Sequence, residues 1–141
     1  MPNLRLLRVG LVAAALASGA LAAGGGDSQS RPVSLAFDVQ PILDTYCVQC
    51  HLLESAQGGL VLESGEAWAN LVKTDSTQAP LKRVEPRNPQ ASYLLHKLRG
   101  SHIKAGGSGQ IMPYGSEASS GIPASDVELI ERWINDGAAD N

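Results

Sequence analysis

Aromatic residues are scarce in this chain: one Phe, two Trp and three Tyr among 141 residues. Aromatics contribute the most buried area per residue, so a large core built on them is excluded. Cysteine is limited to Cys47 and Cys50, which excludes a framework of long-range disulfides. Methionine is limited to Met1 and Met112. Charged residues make up only 18% of the chain and the basic ones do not cluster, which argues against nucleic acid as a partner. No apolar run approaches the roughly 20 residues that a membrane-spanning helix requires. No alternation of apolar and polar residues is sustained, so a half-buried sheet is not expected.

What is present is unevenly spread. Of the 43% of residues that are hydrophobic, sixteen lie within residues 1–23. Beyond residue 23, Leu, Ile, Val and Phe account for only 26 of 118 residues, close to the composition at which chains fail to bury enough surface to fold. A core that thin calls for a staple: a disulfide, a metal or a cofactor.

The first 23 residues read as an address. Arg5 and Arg8 precede an apolar run from Val9 to Ala17, and Ala20-Leu21-Ala22 closes the segment with small residues. This is the layout of a secretory signal peptide over residues 1–23. Gly24-Gly25-Gly26 and Asp27-Ser28-Gln29-Ser30 make residues 24–33 a flexible tether. The expectation is an exported, periplasmic domain over 34–139, with no stable membrane span once the leader is removed. Cleavage would also discard Arg5 and Arg8, leaving 9 basic against 14 acidic residues, near −5. Polyanions are then disfavoured, and a docking partner with a basic face is favoured.

The remaining chain reads as all-α, with three to four helices. Val39, Ile42, Leu43, Tyr46, Cys47 and Cys50 share one helical face in a segment from Phe37 to Cys50, with Asp38 as N-cap and Pro41 in the first turn. A short helical piece is expected around Glu66 to Val72. Asn88-Pro89 opens a helix running through Leu98 and stopped by Gly100. The last helix opens on Ser125-Asp126-Val127-Glu128, a capping box, and ends at Gly137. Between these two, Ser101 to Gly121 is rich in Gly and Ser, with only Ile103 and Ile111-Met112-Pro113-Tyr114 as apolar content. A structureless loop of this length in a small domain needs a function to explain it.

Cys47-Val48-Gln49-Cys50-His51 is a C-x-x-C-H sequence, the attachment pattern of c-type haem. The spacing follows from the chemistry. Two thiols must reach the two haem vinyl groups from one side, and the adjacent imidazole must then turn onto the iron. Three other uses compete for these residues. A redox dithiol prefers a helix N-terminus, whereas this pair closes a helix. A disulfide between residues three apart closes almost no loop. A zinc site from Cys47, Cys50, His96 and His102 would leave 45 residues between its two halves, far more than a zinc finger uses.

Haem iron bound by His51 needs a further ligand or an open position. Met112 lies in the loop that otherwise lacks a purpose, and a thioether on the distal face would explain both. Its alternative use is to fill a gap in the core. His96, on a helix face, and His102, following Gly100-Ser101 with more freedom, are rival ligands. Trp68, Tyr93, Arg83 and Arg87 are candidate donors to the haem propionates, while Glu131 and Arg132 read as a solvated helix face.

Taken together, Phe37 to Leu43, Cys47 to His51, Gly58-Gly59-Leu60, Val84 to Leu98, Met112-Pro113 and Trp133 to Ala138 resemble a class I monohaem cytochrome c. Within that class the chain is similar to the bacterial planctomycete-type cytochrome c domains, over about residues 34–139. The resemblance implies a small cytochrome c-like fold wrapped around one covalent haem, with Cys47 and Cys50 as thioethers, His51 as proximal ligand and Met112 as distal ligand. It also implies N- and C-terminal helices that cross, with Phe37 or Ile42 against Ile130 or Trp133. The chain departs from the family in one respect. No proline stands between His51 and Pro80 to hold the His51 ring, so the acceptor for its N–H is unassigned. The expected function is single-electron transfer between donor and acceptor proteins, without transformation of a substrate. The alternative is a haem enzyme or a gas or peroxide sensor with a displaceable distal ligand.

Overall fold

The computed structural model describes residues 31–116 and 121–141. The signal peptide expected over 1–23, and the tether as far as residue 30, lie outside the described residues. Four α-helices carry the fold: α1 (Gln40–Tyr46), α2 (Ala67–Leu71), α3 (Tyr93–Leu98) and α4 (Ala124–Asp136). Short π- and 3-10 turns and isolated bridges, such as Val72 with Val84 and Asp75 with Lys82, accompany them among the described residues. The architecture is therefore mostly helical, and no described helix is long and apolar enough to cross a membrane.

The first helical segment begins earlier than its periodicity suggests. Ser34, not Asp38, is the N-cap: its hydroxyl accepts from the Phe37 N–H at 3.2 Å. The Asp38 carboxylate reaches back to the Ser34 N–H at 2.7 Å and pairs with Arg31 at 2.6 Å. Both partners hold the Asp38 carboxyl below its ordinary range, the Arg31 hydrogen bond most strongly. Asp38 thus completes a reciprocal cap rather than starting one. From Leu35 to Val39 the turn is widened into a π-helix that leads directly into α1. Pro41 has no N–H to donate, and its ring crowds the carbonyl four residues back, so a wider turn ahead of it relieves the clash. Replacing Ser34 with Ala is expected to cost about 1–2 kcal/mol, measurable by denaturant titration.

The segment that opens the chain's described part is fastened to its end. The Ser34 hydroxyl donates to the Asn141 backbone carbonyl at 2.7 Å, and the Ala36 N–H reaches the same oxygen at 2.8 Å. Val39, Leu43, Ile130, Trp133 and Ile134, none more than 1% exposed, share one core cluster. Ile42 joins that core at 7% exposure, but Phe37 does not; it stands 80% exposed. Its place on the widened turn carries it off the buried face.

Two other sequence expectations are corrected. The segment from Asn88 is a 3-10 turn, Pro89–Ala91, capped by the Asn88 side chain and separated from α3 by extended Ser92. The fully buried Ser92 hydroxyl donates to the Asn88 carbonyl at 2.8 Å and accepts from the Glu85 N–H at 2.9 Å. These local bonds compete with helical continuation. In α4, Pro123 occupies the cap position and no side chain caps the helix; the Ser125 hydroxyl bonds instead to Asp126. Gly137 ends α4 as expected, with φ 113°, and its neighbour Ala138 returns its N–H to the Trp133 carbonyl at 2.8 Å. Glu131 is more than a solvated residue: it binds the Arg99 guanidinium through both oxygens, the shorter contact being 2.7 Å.

Candidate functional site

The C-x-x-C-H turn is built by the end of α1. Cys47 is the C-cap, its N–H still bonded to the Leu43 carbonyl at 2.8 Å. The chain then turns once more: the Cys50 N–H returns to the Cys47 carbonyl at 3.1 Å, and the His51 N–H to those of Cys47 and Val48. Both thiols are free. Cys50 is exposed and Cys47 half-buried. Burial, reinforced by the neighbouring Cys50, pushes the Cys47 thiol up to about 11. A thiol in this state is not the activated thiolate of a redox dithiol.

His51 is the organised member of the turn. Its Nδ1 lies 3.2 Å from the Leu60 carbonyl oxygen. A carbonyl only accepts, so Nδ1 carries the hydrogen and Nε2 keeps its lone pair. Burial lowers the His51 pKa, partly opposed by the carbonyls of Leu60 and Gln57, so the ring is held neutral. This is the state in which imidazole ligates a metal. The return of the Leu62 N–H to the His51 carbonyl at 2.8 Å closes the intervening loop.

The acceptor for His51 is therefore a backbone atom. Gly58 and Gly59, with φ of 66° and 63°, turn the chain so that the Leu60 carbonyl faces the ring. Arg83 secures that turn, donating to the Gly59 carbonyl at 2.9 Å, to that of Gly58 at 3.3 Å and to that of Asn70 at 2.9 Å. Sequence reasoning singled out Arg83 for propionates; the structure engages it here. The glycine pair was the sequence signal for the turn, although nothing in it pointed to His51.

The segment carrying Met112 is fixed to α3. The four last carbonyls of a helix lack intrahelical partners, and one of them, at Lys97, accepts the Met112 N–H at 3.1 Å. Met112 is half-buried, and like Cys47, Leu60 and Leu94 it packs against the core while keeping part of its surface exposed. Residues 117–120 of this loop lie outside the described residues.

The rival histidines are placed otherwise. His96 has both ring nitrogens engaged, Nδ1 with the Ser101 hydroxyl at 2.8 Å and Nε2 with the Gln90 carbonyl at 2.9 Å. His102, expected to have more freedom than His96, is only 5% exposed, with Nε2 bonded to the Gly109 carbonyl at 3.0 Å. Among the described residues no group of three or more His, Cys, Asp or Glu is gathered as a metal would need. The zinc arrangement from Cys47, Cys50, His96 and His102 is not assembled. Comparison with family models, with curated proteins and with solved structures returned no match.

Two of the other candidate donors are occupied. The Trp68 indole N–H donates to the Ala138 carbonyl at 2.8 Å, and the Tyr93 hydroxyl to that of Ser108 at 3.0 Å. Arg87 takes a φ of 61° and gives its N–H to the Ile134 carbonyl at 2.7 Å.

These residues fit a covalently attached haem. Two free thiols stand three residues apart at a helix end, beside an imidazole anchored through Nδ1 to the Leu60 carbonyl. A single thioether is offered from a segment fastened to another helix.

Proposed function

We propose that this chain is an exported electron carrier with one covalent haem, bound through Cys47 and Cys50 and ligated by His51 and Met112. The observation that carries the reading is the hydrogen bond from His51 Nδ1 to the Leu60 carbonyl, at 3.2 Å. That bond selects the tautomer and orients the ring next to two free thiols, as the outer partner of a metal-bound histidine does. When bound, the haem supplies a one-electron Fe(III)/Fe(II) couple.

The chain's own residues then have distinct tasks. Cys47 and Cys50 fix the group by thioether bonds, so it is not lost between turnovers. His51 places a neutral nitrogen at the iron, and the Leu60 carbonyl increases the basicity of that ring. Met112 offers a soft, uncharged ligand that favours Fe(II) and so raises the potential above that of two imidazoles. The half-buried apolar side chains of Val48, within the turn, and Leu60, beside His51, would limit water around the group, and lower water access also favours the less charged oxidation state. The resemblance to planctomycete-type cytochrome c domains supports the same assignment. Redox donor and acceptor proteins are the partners, and the periplasm or another exported compartment is the location.

The test is to produce the full chain in a host able to mature c-type cytochromes. The expected product is red, gains the mass of one haem, keeps it through denaturing electrophoresis, and gives the pyridine haemochrome of a haem with both vinyls saturated. Cys47→Ala with Cys50→Ala should lose the covalent haem entirely. A colourless wild-type product of unmodified mass overturns the proposal.

A further inference from the structure

Outside the C-x-x-C-H turn, side chains of Tyr93, Lys97 and His102 converge on the backbone of Ser108 and Gly109. We propose that Tyr93, seated on Gly107 and bonded to Ser108, is the latch that holds the Met112 segment closed. The inference rests on the electron-carrier reading above and assigns the positioning residues of its distal ligand.

The Tyr93 hydroxyl is engaged twice by one residue. It donates to the Ser108 carbonyl at 3.0 Å and accepts from the Ser108 N–H at 3.3 Å. Both backbone groups of Ser108 are thereby satisfied by a single side chain on α3. Gly107 makes this approach possible: a Cβ placed there would fall 2.3 Å from the Tyr93 hydroxyl oxygen and 2.5 Å from its ring. Only a residue without a side chain lets the loop backbone lie on the aromatic ring. From the same helix, the Lys97 ammonium donates to the Ser108 carbonyl at 3.3 Å and to Gln78 at 3.1 Å. One residue further on, the His102 ring holds the Gly109 carbonyl at 3.0 Å. The next backbone bond to α3 is that of Met112 itself, to the Lys97 carbonyl.

The consequence is mechanical. Met112 follows Ser108 by four residues, so the hold on Ser108 and the Met112 bond to the Lys97 carbonyl together limit the freedom of the thioether. A thioether is a weak ligand, and a mobile loop would exchange it readily for another molecule. Tyr93 is a positioning residue on this account, acting through Ser108.

The experiment compares carbon monoxide binding to the reduced, haem-loaded full chain in wild type, Tyr93→Phe, Gly107→Ala and Ser34→Ala. Tyr93→Phe removes one oxygen atom and leaves the ring in place. It is expected to speed carbon monoxide binding at least tenfold and to weaken the near-infrared band of the Fe(III)–thioether bond, with covalent haem retained. Gly107→Ala should act in the same direction and more strongly; if it does not fold, Tyr93→Phe decides alone. Ser34→Ala, a cap remote in sequence, should lower thermal stability and leave the carbon monoxide rate unchanged. Equal acceleration by Ser34→Ala would reduce Tyr93 to a merely structural role and overturn the latch. Wild-type rates and an undiminished band in Tyr93→Phe would overturn it as well. Absence of covalent haem from the wild type instead overturns the reading on which the latch rests.

Discussion

Trp133→Ala is expected to destabilise the folded domain by about 3–5 kcal/mol, the range for truncating a buried Phe or Trp. Trp133 is 0% exposed and is the largest fully buried side chain. It packs in the core cluster to which the π-turn, α1, α2, α3 and α4 all contribute, so the void would open inside that shared core. Surrounding groups cannot collapse into it without separating from one another. The indole N–H also donates to the Ala139 carbonyl at 3.0 Å, but Ala139 is exposed and water would replace that bond. Most of the loss is therefore apolar. Small domains hold only about 5–15 kcal/mol in total, so the variant should be largely unfolded well below the wild-type melting temperature. Guanidinium titration of the haem-loaded protein, followed by far-ultraviolet circular dichroism, measures it. A loss under about 1 kcal/mol would show that the core is organised elsewhere. Trp133→Phe retains much of the buried area and should be far milder.

Met112→Ala is expected to have the largest effect on the redox chemistry. The near-infrared band of the Fe(III)–thioether bond should vanish, and carbon monoxide should reach the reduced iron freely. The potential should fall by on the order of 0.1 V, a modest part of the roughly 0.8 V over which axial ligands tune haem. Of the two rival histidines, only His102 keeps a ring nitrogen, Nδ1, without a hydrogen-bond partner. Both nitrogens of His96 are hydrogen-bonded, and His102 is buried with Nε2 on the Gly109 carbonyl. An unchanged band in the Met112→Ala protein would assign the sixth position to another residue. Rapid carbon monoxide binding already in the wild type would favour a haem enzyme or sensor over an electron carrier.

The helical character of the chain was legible where apolar spacing and stop signals agreed. Val127, Ile130, Trp133 and Ile134 are all buried on α4, and Gly137 ends it because only a left-handed residue fits there. Cys47, Cys50 and His51 share one turn, as their spacing requires. Helix starts were less legible, because Ser34 and Asp38 are both good caps and only in the folded chain does the Ser34 hydroxyl accept from the Phe37 N–H. The break at Ser92 was hidden because its hydroxyl bonds to backbone atoms of Asn88 and Glu85, partners that no periodicity displays. His102 was misjudged because glycine-rich surroundings suggest freedom, whereas the loop closes over its ring. The fastening of that loop was equally hidden, since a tyrosine in α3 and a glycine fourteen residues later have no pattern in common.

The bond between His51 and position 60 has a consequence for how this protein can vary. The acceptor is a main-chain oxygen, so it persists whatever side chain position 60 bears. What encodes it is the left-handed backbone of Gly58 and Gly59. The instruction that orients a histidine is thus written two residues away from the atom that executes it. Sequences that preserve this contact need share the histidine and the pair of glycines that bends the chain toward it, but no residue at position 60.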